Sequence, residues 1–251
     1  MNTPQPSKPA TSEVLPSGFS RRLSPFDRLL SEVSRAVQVL DGSVQAGRPN
    51  PADAAAANET PPAPAESIAQ VAAQSAATAD LSPAEQKHAA GLMRVNHVGE
   101  ICAQALYRGQ AVLCGDAAIR KVLYKAAAEE VDHLVWCRER LQELKSHPSV
   151  LNPLWYLGSF TLGLVAGRAG TRYNLGFMAE TERQVEQHLD HHLQELPPQD
   201  QRSRHIVEQM RIDEIDHRHT AQNRGAAPLP APVKGAMRIM SRIMTTTAYR
   251  L

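Results

Sequence analysis

Two segments, Glu129-Glu130-Val131-Asp132-His133 and Asp213-Glu214-Ile215-Asp216-His217, decide how this chain is read. Both run acid, Glu, aliphatic, Asp, His. Within each, Glu and His stand three apart, which puts a carboxylate and an imidazole on one helix face. The repeat extends upstream: Glu100 precedes Glu130 by 30 residues, and Glu182 precedes Glu214 by 32. Each half therefore reads Glu, helix reversal, Glu-x-x-His. One Glu from each of two helices and one Glu-x-x-His from each of two others is the ligand arrangement of di-metal carboxylate bundles. The candidate ligands are Glu100, Glu130, His133, Glu182, Glu214 and His217.

The surroundings of these motifs are helical. Ser82-Pro83-Ala84-Glu85 is a capping box with proline at the first helical position, opening a helix that runs to Cys114 and stops at Gly115. Asp116 caps a second helix that ends before His147-Pro148. A third spans Thr171 to Leu196, before Pro197-Pro198, and a fourth runs from about Pro198 to Asn223. No stretch alternates as a strand would. The expected fold is all-α: a ferritin-like four-helix bundle, with an extra apolar interfacial helix segment and helices at the N- and C-terminal ends.

Three stripes carry the argument from fold to site. Leu123, Ala126, Ala127, Glu130, Leu134 and Leu141 share a face; so do Leu175, Met178, Glu182, Val185 and Leu189, and so do Val207, Met210, Glu214, His217 and Ala221. Each stripe is apolar except at the candidate ligands. A carboxylate turned into a core is costly unless it is paired, hydrogen-bonded or bound to a cation. Carboxylates and imidazoles without thiolate suit iron or manganese better than a closed structural zinc site. Four carboxylates balance two divalent ions.

Simpler readings stand beside this one. A lone Glu-x-x-His is usually a surface pair, and Glu85-x-x-His88 is explained by the cap. Asp132 and Asp216 read equally as surface acids or as partners that orient a histidine. Glu129 and Asp213 read as exposed helix charge, and His188, His191 and His192 as mostly solvent-facing. Glu180 points away from the Glu182 face, whereas Glu186, one turn on, is the rival for that ligand place. Tyr107 reads as a packed, hydrogen-bonded tyrosine rather than a redox participant.

Towards the ends the chain changes character. Residues 1–45 read as a tail followed by an amphipathic helix from Ser24 to Leu40, with Phe26, Leu29, Leu30, Val33, Val37 and Leu40 as its apolar stripe. Residues 46–80 are rich in Ala, Pro, Asn, Glu and Ser and read as a low-complexity linker. Residues 81–251 form the bundle domain. The N-terminus lacks a basic and then apolar pattern, so no secretory signal is expected. Three cysteines without C-x-x-C spacing argue against a disulfide scaffold. A net charge of +1 gives no footprint for nucleic acid, and none is expected as a partner. The apolar stretch Leu154 to Gly167 is short of the roughly 20 residues a spanning helix needs, but suits a helix lying in a membrane interface. Trp155 and Tyr156 favour the headgroup region. The alternative for this stretch is core packing across the bundle. The tail from Val233 to Leu251 sets Lys234, Arg238, Arg242 and Arg250 beside Met237, Ile239, Met240, Ile243 and Met244, a second candidate surface-binding helix.

Arg94-Val95-Asn96-His97-Val98-Gly99-Glu100, the Glu130/His133 pair, Pro153-Leu154-Trp155, Glu182 and the Glu214/His217 pair together resemble the demethoxyubiquinone hydroxylase family of ubiquinone biosynthesis. The resemblance covers about Leu81 to Leu251, and the Ser24–Leu40 helix resembles the N-terminal helix of bacterial members. It implies two Fe ions per chain held by the six candidate ligands, which would also be the catalytic residues. It implies that O2 and the ring of a 2-polyprenyl-3-methyl-6-methoxy-1,4-benzoquinol are the substrates, with one oxygen added as hydroxyl. A separate electron donor and partner proteins of the same pathway are expected, and the chain is placed peripherally on the cytoplasmic side of the cell membrane. Two other classes remain: a ferritin-type iron-binding ferroxidase without organic substrate, weakened by the two histidines, and a radical-generating reductase subunit, weakened by the short chain and the extra apolar segment.

Overall fold

A computed structural model describes residues 24–53 and 81–251. Among the described residues seven long helices follow one another: α1 Pro25–Asp41, α2 Pro83–Leu113, α3 Ala117–Glu143, α4 Asn152–Arg168, α5 Thr171–Glu195, α6 Gln201–Asn223 and α7 Ala231–Ala248. No strand occurs among the described residues. α2 pairs with α3, and α5 with α6, and these four make the bundle.

The helix ends follow the sequence chemistry. Ser82 and Glu85 form the capping box of α2, each side chain accepting from the other's backbone N–H. The Asp116 carboxylate accepts from the N–H groups of Ala118 and Ile119 and starts α3. Asp200 does the same for α6 through Ser203 N. Its other duty is to receive Arg140, a fully buried guanidinium on α3 that also donates to Ser203 Oγ and Glu143. This network ties α3 to α6 at one end of the bundle.

α4, the apolar segment, lies across α2 rather than apart from it. A Cβ at Gly163 would collide with the backbone carbonyl of Leu106, and one at Gly109 with the carbonyl of Phe160. Glycine at both positions lets the two backbones touch, and the packing reading of the segment holds for that face. The opposite face, with Leu154, Leu157, Leu162 and Val165, is exposed. Tyr156 is buried and Trp155 half-buried, so neither ring stands at the outer surface as expected. No helix among the described residues is long and apolar enough to cross a membrane. α7 runs back over α2, where Arg94 donates to Ser146 Oγ and to the carbonyls of His147 and Tyr249.

Two features of the N-terminal part differ from expectation. α1 forms with its Ser24–Asp27 capping box and ends at Gly42 in the left-handed region, φ 78°. Phe26, Leu29, Leu30, Val33 and Val37 of its apolar stripe are each more than half exposed, and α1 is anchored through Val39, Ala36 and Leu40, which pack on the core, and through Glu32, which accepts from Arg108 and Tyr124. The stretch after it, expected to start the linker at residue 46, is packed down to residue 53. Val44 and Ala52 are buried, Asn50 donates to Glu139, and Gly47 and Arg48 bind Asp132. Composition hides this, because the partners are acids of α3 some 85 residues away in sequence. Residues 1–23 and 54–80, which include the expected tail and most of the linker, lie outside the described residues.

Candidate metal centre

Six buried side chains meet at mid-bundle. Glu100 comes from α2, Glu130 and His133 from α3, Glu182 from α5, and Glu214 and His217 from α6. Their donor atoms fall into two groups, each within 4.8 Å: Glu100, Glu130, His133 and Glu214; and Glu130, Glu182, Glu214 and His217. Glu130 and Glu214 belong to both. All six sequence-predicted residues are thus brought together. Glu180 and Glu186 are not: Glu180 pairs with Arg183, and Glu186 with Arg218 at 3.0 Å.

Both histidines present Nδ1 to the cluster. His133 Nδ1 lies 3.0 Å from Glu130, 3.3 Å from Glu214 and 3.5 Å from Glu100. His217 Nδ1 lies 3.2 Å from Glu130, 3.4 Å from Glu214 and 3.8 Å from Glu182. Burial raises the Glu100 and Glu182 carboxyls well above the carboxylate range, and neighbouring carboxylates add to this. Burial alone would depress both imidazoles, but hydrogen bonds to the surrounding carboxylates outweigh it and raise them.

The donor set fits two divalent cations. Glu100 Oε2, Glu130 Oε1 and Glu182 Oε2 are enclosed without a hydrogen-bond partner, although such atoms normally have one. Four carboxylates and two imidazoles, with no buried Lys or Arg among them, leave negative charge for cations to balance. No thiolate competes: the three cysteines are free and none joins either group.

The outer nitrogens carry a pattern the sequence reading missed. His133 Nε2 lies 2.8 Å from Asp213 on α6, and His217 Nε2 lies 3.1 Å from Glu129 on α3. Each repeat's leading acid serves the other repeat's histidine. With Nδ1 turned to the cluster, Nε2–H donates to these acids, which fixes ring orientation and tautomer. Glu129 and Asp213 are therefore not simply exposed charge. Asp132 is turned away from the histidines to Arg48, and Asp216 is exposed. The signal was present: an acid four residues before each His, in both halves. Tyr107 is fully buried and donates to Glu182, as a packed, hydrogen-bonded tyrosine should.

Beside the cluster lies an apolar cavity of about 590 Å³, bounded by α2, α4, α5 and α7 and reaching Glu100. Its few polar groups include Asn96 Oδ1, Thr181 Oγ1 and His188 Nε2, all buried and without partners. His188 thus lines a site instead of facing solvent, and burial depresses it to about 4. His192 is buried against it with ring centroids 3.9 Å apart, and only His191 is exposed. Thr181, Gln184 and His188 stand at i, i+3 and i+7, a spacing that marks one helix face.

The family model described as "Ubiquinone biosynthesis protein COQ7" matches residues 87–248, which contain all six clustered residues. The chain belongs to the COQ7 family. Among its COQ7 relatives is a protein of Bordetella petrii named 3-demethoxyubiquinol 3-hydroxylase, 60% identical over 92% of this chain and 94% of its own length. Proteins of the same name from Ralstonia pickettii and Xanthomonas oryzae pv. oryzae are 56% and 52% identical, over 90% and 92% of this chain and 100% and 97% of theirs. The COQ7 match begins at residue 87, so α1 and the packed segment around Arg48 precede it.

Proposed function

We propose that this COQ7 chain hydroxylates the ring of 2-polyprenyl-3-methyl-6-methoxy-1,4-benzoquinol with O2. Glu100, Glu130, His133, Glu182, Glu214 and His217 would hold two irons, Glu130 and Glu214 belonging to both donor groups. The observation that carries this reading is the apolar cavity whose inner end is Glu100. A ferroxidase needs no such space, whereas a quinol with an isoprenoid tail does. The bound irons would supply reductive activation of O2. One oxygen atom enters the ring, and the other leaves as water, formed with two protons and two electrons from an external donor.

The chain's own residues hold, orient and exclude water. Val95, Leu106, Phe177 and Leu189 give the ring apolar walls. Asn96, Thr181 and His188 offer their unpartnered atoms to the ring's oxygen substituents. Tyr107 holds Glu182 in place, and Glu129 and Asp213 hold the histidines. The exposed faces of α4 and α7 lie beside the cavity, which supports peripheral contact with the membrane that contains the substrate. The proposed side is the cytoplasmic one.

The test is turnover by iron-loaded protein with reductant, 18O2 and a short-chain substrate analogue. The expected product carries one 18O atom on the ring. Iron oxidation with O2 consumption and no oxygenated product would overturn this function in favour of the ferroxidase class.

A further inference from the structure

Arg48 sits in the segment before the bundle, outside the part of the chain that the family model matches. Its guanidinium spans the two repeats. Nε donates to Asp132 on α3 at 2.6 Å, and Nη2 donates to Asp213 on α6 at 2.7 Å. Gly47 N–H adds a bond to Asp132 at 2.6 Å. The guanidinium also lies over the Trp136 ring, 5.0 Å from its centroid, and that indole packs beside the His133 imidazole. The Asp213 oxygen that receives Arg48 is the one that receives His133 Nε2, while Gln209 donates to the other oxygen. Asp213 is thus held from three directions, and the His133 ring is fixed through it.

The matching place in the other half is built differently. His217 Nε2 meets Glu129, whose further partner is Lys125, one turn away on the same helix and largely exposed. That ammonium is a flexible point charge in water, whereas the planar Arg48 fork bridges two helices. The pseudo-symmetric ligand set therefore has asymmetric support. His133 is completely buried, but the His217 side chain keeps some exposure.

We propose that Arg48 is a positioning residue for the metal centre. By clamping Asp213, and with it His133, it makes the cation place of Glu100, Glu130, His133 and Glu214 the tighter of the two. The proposal rests on the metal-binding reading above. Partners that orient a ligating histidine through its far nitrogen typically contribute 10–100-fold in affinity.

The test is anaerobic Co(II) titration of the full-length protein, followed by visible absorption and calorimetry. Wild type should take up two Co(II) per chain in two resolved steps. Arg48→Gln should weaken one step about tenfold or more and leave the other in place. Arg48→Lys, able to serve only one acid well, should fall between. Asp213→Asn should weaken the same step, and adding Arg48→Gln to it should change less than Arg48→Gln does alone, because the hydrogen-bonded route from Arg48 to the His133 ring runs through Asp213. Asn50→Ala loosens the same segment at Glu139 without touching Asp213, so it should keep wild-type titration even if the melting temperature falls. The positioning role is overturned if Arg48→Gln titrates like wild type, if Asn50→Ala reproduces its loss, or if the Asp213→Asn and Arg48→Gln losses add in full. Wild type binding no Co(II) would overturn the metal reading itself, and this proposal with it.

Discussion

Three acidic side chains on α5 show how position, not residue type, sets a role. Glu182 is fully buried with its Oε2 unpartnered, Glu180 is buried but satisfied by Arg183 and Gln184, and Glu186 pairs with Arg218. Glu182→Gln removes an anionic donor from the group it shares with His217. It should reduce bound iron towards one per chain and eliminate turnover. Glu180→Gln lies outside both donor groups, so it should keep turnover even if the loss of its pair with Arg183 lowers stability. Glu186→Gln should do the same. Iron analysis beside turnover checks all three, and wild-type iron content in Glu182→Gln would remove it from the ligand set. The ligands were legible because Glu-x-x-His is a local pattern on a helix, and its repetition tied four distant segments together. Glu129, Asp213 and Arg48 were not, because their partners lie on other helices, and nothing local in a charged residue says which distant group it will meet.

At the scale of elements, the contact of α2 with α4 depends on small residues. Gly163→Ala would set a Cβ against the backbone of Leu106 and Gln110, where no side chain can yield. Overpacking of this kind costs about 1–3 kcal/mol. For a chain of this size that lowers the melting temperature by roughly 2–4 °C per kcal/mol. Gly158→Ala, also in α4, meets nothing within 4 Å and should leave the melting temperature unchanged or slightly raised, since alanine is the better helix former. Paired thermal melts decide this, and equal melting of the two variants would contradict the close backbone contact. Sequence pattern placed α4 correctly but could not say which face it would bury. α1 teaches the same limit. Amphipathic spacing predicts an apolar face, and among the described residues only its Leu40 end packs on the core, while Phe26 to Val37 stay exposed.

At the scale of the whole molecule, the distribution of apolar surface bears on the proposed contact with a membrane. Leu154, Leu162 and Val165 of α4 and Met240 of α7 are exposed, yet they also line the cavity that reaches Glu100. The cavity mouth therefore lies where the exposed apolar faces are. Leu157 on α4 and Ile239 and Ile243 on α7 extend those faces away from the cavity, at 51–65% exposure. Arg238 and Arg242 on α7 provide cations that anionic headgroups would attract. A long-chain quinol stays in the bilayer, so an enzyme acting on it must present its mouth there. Changing Leu157, Ile239 and Ile243 together to Gln removes anchoring surface and leaves the cavity lining intact. Wild type should float with anionic liposomes and be released in part by high salt, and the triple variant should float poorly even at low salt. Its turnover of long-chain substrate should fall several-fold, while turnover of a short-chain soluble analogue stays near wild type. If the variant floats as well as wild type, these faces do not carry the membrane contact. If both activities fall equally, the faces support the fold and not the delivery of substrate.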